Sequence, residues 1–280
     1  MQPEQIDTFL DLADSRSFHR SAERLGVTQS TVSARIAGLE AALGTALFTR
    51  SRAGALLTTE GLKFAPHARA LRHAMTEARR SVTPTGEAAL TLRLGIQTDL
   101  AAYHLGDWVQ GFRRALPTCA FYVEPDFSAQ MCTDLAEGRL DFAVLYTPHP
   151  APDLHFTTLG EARHVLVSST PARLADLGPA TVIRANYAPA FALSQATILP
   201  WIAEAPLASG QSAAVISLLM TLGGAAYVPE DARHLLPAGF SAVPDAPAIG
   251  QPVHAATHLR HRTQPMHRTL LRIMQRQFNR

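Results

Sequence analysis

The chain has one lysine, Lys63, and two cysteines, Cys119 and Cys132, in 280 residues. Two thiols cannot form a disulfide framework for a chain this long, so the fold must rest on a buried apolar core. The 47% hydrophobic content supplies one, and the length suffices for two or three domains. With lysine nearly absent, positive charge is arginine's, which reads phosphate and guanine bidentately, although GC-rich coding explains the same skew. No apolar run approaches the ~20 residues that cross a bilayer, and the opening MQPEQIDTF has neither a basic nor an apolar leader region. The expectation is a cytoplasmic protein with no membrane attachment. Also missing are G-x-S-x-G, Walker A and Rossmann glycine patterns, and paired carboxylates framed for acid–base work. Nothing therefore supports an enzyme or a bound cofactor. There is no internal repeat and no low-complexity tract.

What is present is concentrated between Ser17 and Glu40, SFHRSAERLGVTQSTVSARIAGLE. Phe18, Ala22 and Leu25 recur on one helical face, and Gly26 stops that helix. Thr28 stands at an N-cap position, and Val32, Ile36 and Leu39 form the buried stripe of a second helix. Gln29, Ser30, Thr31, Ser33 and Arg35 remain for an outer face that donates and accepts hydrogen bonds and carries no acid. Such a face suits the major groove of double-stranded DNA. Net charge is only +2, but it is uneven: residues 1–82 hold 11 basic and 8 acidic side chains, the rest 14 and 15, so +3 against −1.

Residues 4–15 predict a first helix with Ile6, Phe9, Leu10 and Ala13 inward. Leu47–Thr58 reads as two short strands joined at Arg52-Ala53-Gly54, a wing with Arg50 and Arg52 near its tip. From Thr59 to Val82 the positions Phe64, Ala68, Leu71, Met75, Ala78 and Val82 keep coiled-coil spacing around an early Pro66. That seam predicts a dimerisation helix, and Thr83-Pro84-Thr85-Gly86 a hinge. Beyond it, strands at 90–96, 121–124 and 141–146 alternate with helices at 100–116 and 128–137, a βαβαβ unit on a mostly parallel sheet. A strand at His164–Ser168 opens a second α/β lobe, and Pro265–Phe278 closes the chain as a helix. Arg268, Arg272 and Arg276 share one face of that helix, read as a solvated stripe.

The pattern Phe9, Ser17-Phe18, Ala22, Leu25, Val27-Thr28-Gln29-Ser30, Val32-Ser33, Ile36, Leu39-Glu40, Leu43-Gly44, Leu47-Phe48, Arg50, Leu57-Thr58 and Gly61 resembles the DNA-binding domain of LysR-type transcriptional regulators. Weaker likeness runs on through Gly138…Leu140-Asp141 and Gly223-Gly224…Val228-Pro229. Tyr146-Thr147-Pro148 and Asn186-Tyr187…Phe191 are similar to one subgroup. The resemblance implies an α/β protein with an all-α-plus-wing N-terminal domain. In order these are a winged helix-turn-helix (1–58), a linker helix (59–82), a hinge (83–86) and a two-lobed effector domain like periplasmic binding proteins (87–280). Lobe I is expected at about 87–160 with 266–280, and lobe II at about 161–265. It further implies a homodimer or dimer of dimers on promoter DNA, with RNA polymerase as a further candidate partner. Carried over by position, Gln29, Thr31, Ser33 and Arg35 read bases or anchor the helix. Ser30 and Arg50 hold phosphate, and Arg52 enters the minor groove. Ala34 departs from the pattern, standing where many members have a second arginine.

In an open α/β sheet, ligands bind where strand carboxyl ends meet helix amino ends. The polar residues at those points are Gln97, Thr98, Asp99, Ser128, Tyr146 and Thr147 in the first lobe. Asn186, Tyr187, Ser209 and Gln211 follow in the second. Together they suit a small polar effector, and Asp99 opposes a strongly anionic one. The competing reading makes Thr98 or Asp99, and Ser128, plain N-caps. Cys119 and Cys132 offer a different reading, a thiol-based redox sensor, but both look like core residues. His254, His258 and His261 lie on a strand running into a loop, which gives no shared face for a metal.

Overall fold

The computed structural model describes residues 1–51, 54–81 and 90–278. The chain divides into two units. The first is Met1–Gly86 with Ala136–Arg139 and Ala151–Asp153, and the second is the remainder.

In the first unit, helix α1 (Pro3–Ser15) opens with Pro3 in its first turn and ends at Arg16, a left-handed residue with φ 54°. Helix α2 (Phe18–Leu25) is capped by Ser17, whose hydroxyl accepts from the Arg20 amide, and ends at Gly26. Helix α3 (Gln29–Leu43) starts on Thr28, whose Oγ1 accepts from the Thr31 amide at 3.2 Å. Strands β1 (Phe48–Ser51) and β2 (Gly54–Leu57) pair antiparallel as the wing. The apolar stripes converge on one core of Ile6, Phe9, Leu12, Ile36, Leu39, Leu47 and Phe48. Phe9 holds its centre, with its ring 5.3 Å from Phe48 and 5.1 Å from Phe64.

The wing is tied in at two places. Glu40, the one acid in α3, turns its carboxylate back to accept from the Leu47 and Phe48 amides at 2.7 and 3.1 Å. The Ala55 amide donates to the Arg16 carbonyl at 2.8 Å. Gly54, at φ 114°, abuts that same carbonyl, and a β-carbon there would collide with it.

Helix α4 (Thr59–Ser81) runs through Pro66. Here the structure corrects the seam. Phe64 and Ala68 pack into the unit's own core with Ala65, while Leu62 and Leu71 stand exposed. Steps of three and four serve an own-core face and a partner face alike, so the spacing merged two surfaces into one. Val82 and the hinge 83–86 lie outside the described residues.

The second unit begins with β3 (Leu90–Gln97), α5 (Thr98–Ala115), β4 (Cys119–Asp126), α6 (Ser128–Ala136) and β5 (Phe142–Leu145). Strand β3 pairs parallel with both β4 and β5, the expected βαβαβ unit. Then come β6 (Leu154–Ser168), β7 (Arg184–Ala185), α7 (Pro189–Ile198), β8 (Ala208–Ser209), α8 (Ser212–Leu222), β9 (Ala225–Pro229), β10 (Ser241–Ala242), β11 (Ile249–His258) and α9 (Pro265–Phe278). The sheet runs β10-β6-β11-β5-β3-β4, with β9 also on β6. Trp108 and Phe112 of α5 are fully buried with Leu270 and Met274 of α9. No helix among the described residues is long and apolar enough to cross a membrane.

The strand pairing puts the lobe boundaries elsewhere than expected. Strand β6 begins ten residues before His164 and pairs antiparallel with β11 from Leu154 to His164, with a register shift between Val253 and His254. Residues on one side of that shift, His254 to Thr257, also pair with β5; on the other side of β6, His164–Ser168 pairs with β9. The chain therefore returns to the first lobe at His254, not after the expected residue 265. Two long strands cross between lobes without a turn signal, so composition does not mark the crossing.

Candidate DNA interface and effector cleft

On α3, Gln29, Ser30, Ala34 and Ala37 are exposed, whereas Thr31 and Ser33 are half-buried. The Thr28 hydroxyl lies 2.8 Å from both Ser30 Oγ and Thr31 Oγ1, so the helix amino end carries a small web of hydroxyls. Amides not bonded within a first turn, together with the helix dipole, favour a phosphate at such an end. The open face is small and free of acid, which lets a backbone come close to a groove.

Arg35 departs from expectation. Its side chain is half-buried, and Nη1 donates to Thr8 Oγ1 of α1 at 3.4 Å, while Thr8 itself donates to the Glu4 carbonyl at 2.6 Å. The guanidinium thus rests against α1 instead of standing in line with Gln29 and Ser30. Periodicity places a Cα on a face but does not say where a long side chain lies down. The side chain of Arg50 and all of Arg52 lie outside the described residues.

In the second unit the structure joins several expected residues. Gln97 Oε1 accepts from Ser128 Oγ at 2.9 Å, and Ser128 Oγ accepts from the Thr147 amide at 3.1 Å. This links the carboxyl ends of β3 and β5 to the start of α6. Neither Asp99 nor Ser128 caps its own helix. Residue Gln97 holds the cap position of α5 without a side-chain bond, and Thr98, half-buried, is simply the first helical residue. Asp99 instead reaches across to the other lobe, where Oδ1 accepts from the Ser212 amide at the start of α8, 2.6 Å away. Tyr103 and Ser212, neither named from sequence, complete the link through their hydroxyls at 3.0 Å. Asp99 is 2% exposed, and its Oδ2 is buried with no hydrogen-bond partner.

Burial pushes the Asp99 carboxyl above its ordinary range, with the Ser212 hydrogen bonds pulling it back. The phenols of Tyr146 and Tyr187 are raised well above theirs, by burial first and then by the Asp99 charge. Tyr187 is a core residue: its hydroxyl donates to the Tyr227 carbonyl at 2.8 Å and its ring stacks on His164 at 5.1 Å. Asn186 and Gln211 are exposed, and Ser209 accepts the Asn186 amide in a two-residue parallel pairing; none of the three joins the Asp99 cluster. Cys132 is buried and its thiol pushed up by that burial, while Cys119 is half-buried at the start of β4. Arg268, Arg272 and Arg276 are exposed. Among the described residues no group of three or more His, Cys, Asp or Glu is placed to hold a metal.

Comparison with known proteins extends these observations along the chain. Residues 3–62 match the profile of bacterial regulatory helix-turn-helix proteins of the lysR family, and residues 85–279 match the LysR substrate binding domain. The HTH-type transcriptional regulator HdfR of Yersinia enterocolitica is 28% identical over 282 residues, covering 97% of this chain and 96% of that protein. A probable hydrogen peroxide-inducible genes activator of Mycobacterium xenopi is 35% identical over 144 residues, 51% of this chain and 76% of its own length. Among solved structures, a cysteine-to-aspartate variant of full-length OxyR from Pseudomonas aeruginosa superposes with a TM-score of 0.59 at 20% identity, over 98% of this chain and 94% of that one. Full-length LysG from Corynebacterium glutamicum, solved with bound effector arginine, gives 0.57 at 20% identity over 98% of each chain.

Proposed function

The chain belongs to the LysR family of bacterial transcriptional regulators, with a DNA-binding helix-turn-helix and an effector-binding domain, and from that membership we propose how its parts work. It reads promoter DNA with the open face of α3 and the wing, and responds to a small polar molecule held between the lobes of the second unit. It does so in the cytoplasm, as a homodimer or dimer of dimers that engages RNA polymerase at its promoters.

The observation that carries the DNA reading is the acid-free, hydroxyl-capped amino end of α3. Gln29, Ser30, Thr31 and Ser33 meet bases or phosphates there, and Arg35, Arg50 and Arg52 supply charge. Leu62 and Leu71, exposed on α4, are the apolar surface left for a partner helix. The carboxyl ends of β3 and β5, with Gln97, Thr98, Asp99, Ser128, Tyr146 and Thr147, face the effector. The matched activator of M. xenopi is named for peroxide, but that belongs to that protein. A buried thiol whose pKa is raised, as at Cys132, is the opposite of a reactive thiolate.

The test is titration of the protein onto its own upstream promoter duplex at several salt concentrations. Affinity should fall linearly with the logarithm of salt, and a scrambled duplex should bind far less tightly. Equal, salt-independent binding to both would overturn the reading.

A further inference from the structure

The amino end of α8 is already occupied. It belongs to an eleven-residue helix, Ser212–Leu222, whose N-cap residue, Gln211, makes no side-chain cap bond. The anion that such a helix end attracts is supplied by the chain itself: Asp99 Oδ1, from the opposite lobe, takes the Ser212 amide at 2.6 Å. The carboxylate's other oxygen, Oδ2, is buried and without a partner on a residue only 2% exposed. A buried acceptor in that state calls for a donor, and a second anion beside it would meet a like charge in a low-dielectric site. Two aromatic side chains stand in the same cluster. Tyr103 reaches Ser212 Oγ at 3.0 Å, and Tyr146 is buried within range of the Asp99 charge.

We infer that Asp99 is a built-in substitute for an anionic ligand at α8, and that the effector is one that brings a protonated amine to Asp99 Oδ2. This rests on the proposed effector role of the cleft and adds the charge class of the effector. Specificity then turns on one side chain. With Asp99 in place, carboxylate compounds are refused at the helix end. With it removed, that end becomes an ordinary anion site of carboxylate size.

The experiment is a thermal-shift titration of the full chain at constant ionic strength. Methylammonium, putrescine and L-argininamide are the amine probes; formate, acetate and benzoate are the carboxylate probes. The expected result for the wild type is a saturable rise, on the order of 3 °C, with at least one amine and none with the carboxylates. Asp99→Asn, which keeps the shape and an acceptor for the Ser212 amide, should lose the amine response. Asp99→Ala should gain a saturable response to formate or acetate. A wild type that answers carboxylates as strongly as Asp99→Ala overturns the inference. So does an amine response that survives in Asp99→Asn, or the absence of any response in both wild type and Asp99→Ala. If Asp99→Ala does not fold, the comparison of wild type with Asp99→Asn decides alone. Promoter binding by the same preparations stands apart: intact DNA binding with a failed probe pattern rejects only the amine assignment, whereas lost DNA binding in the wild type rejects the regulator reading itself.

Discussion

Two helix starts in this molecule solve the same problem in opposite ways. The first turn of α3 is satisfied by Thr28, its own N-cap, three residues from the amide it accepts. The first turn of α8 is satisfied by Asp99, 113 residues away in sequence and in the other lobe. A local cap makes a helix end independent of the rest of the chain. A remote cap makes a helix end a joint, because the start of α8 is complete only while the two lobes are together. One helix start is completed within its own turn and the other by a distant part of the chain.

Measurements on each unit separately test that contrast. The largest effect is expected from acid. Burial holds His164 at about 4, below its ordinary 6.5. A histidine depressed in the folded state binds its proton preferentially when unfolded, so stability falls as pH drops from about 6.5 toward 4. The loss should reach roughly 3 kcal/mol across that window. It belongs to the second unit, which contains both tryptophans, Trp108 and Trp201, so urea unfolding followed by tryptophan fluorescence reports it directly. Asp99 titrates the other way, since its raised pKa makes its contribution fade as pH rises from 3.8. The informative quantity is therefore the difference from His164→Gln, whose pH profile should be flatter. Matching profiles would remove His164 from the account.

Next in size, Arg35→Ala should weaken specific DNA binding by roughly 1–3 kcal/mol. Because Arg35 leans on Thr8, Thr8→Val should reproduce part of that loss without altering any group near DNA. An inert Thr8→Val beside a damaging Arg35→Ala would show that the contact with α1 does not position the guanidinium. Thr28→Ala should cost the head about 1 kcal/mol and leave tryptophan-detected unfolding of the second unit unmoved. A shift in that signal would mean the head's cap is not local after all. The smallest change is expected from Ala34→Arg, which adds a cation to the exposed α3 face and should steepen the log–log salt slope of duplex binding by about 1. An unchanged slope would put Ala34 away from the phosphates.

The same contrast explains what could be read from sequence. Thr28 with Val32, Ile36 and Leu39, and Gly26 at the end of the first helix of the pair, act within a few residues of themselves, so spacing sufficed for the helix pair and wing. The βαβαβ order was legible for the same reason. What spacing could not show were pairings made only by folding. Asp99, read as an effector contact or else as a cap of its own helix, serves the start of α8. Tyr187 seemed to line a cleft and is a core aromatic bonded to the Tyr227 carbonyl. Arg35 seemed to face outward and bonds a residue 27 positions earlier. The seam on α4 erred differently: one periodicity encodes both the face spent on Phe9 and the face left for a partner.

The shift in β11 between Val253 and His254 sits opposite Gly160, a residue at φ 155° whose missing β-carbon leaves room for Phe278 of α9. Among the described residues, by the strand pairing, the backbone passes from one lobe to the other there, on two antiparallel strands bonded side by side. A body hung from two adjacent pins can swing about the line joining them but resists twisting and sliding. At this crossing the strand pair passes Gly160, and a β-carbon there would meet Phe278.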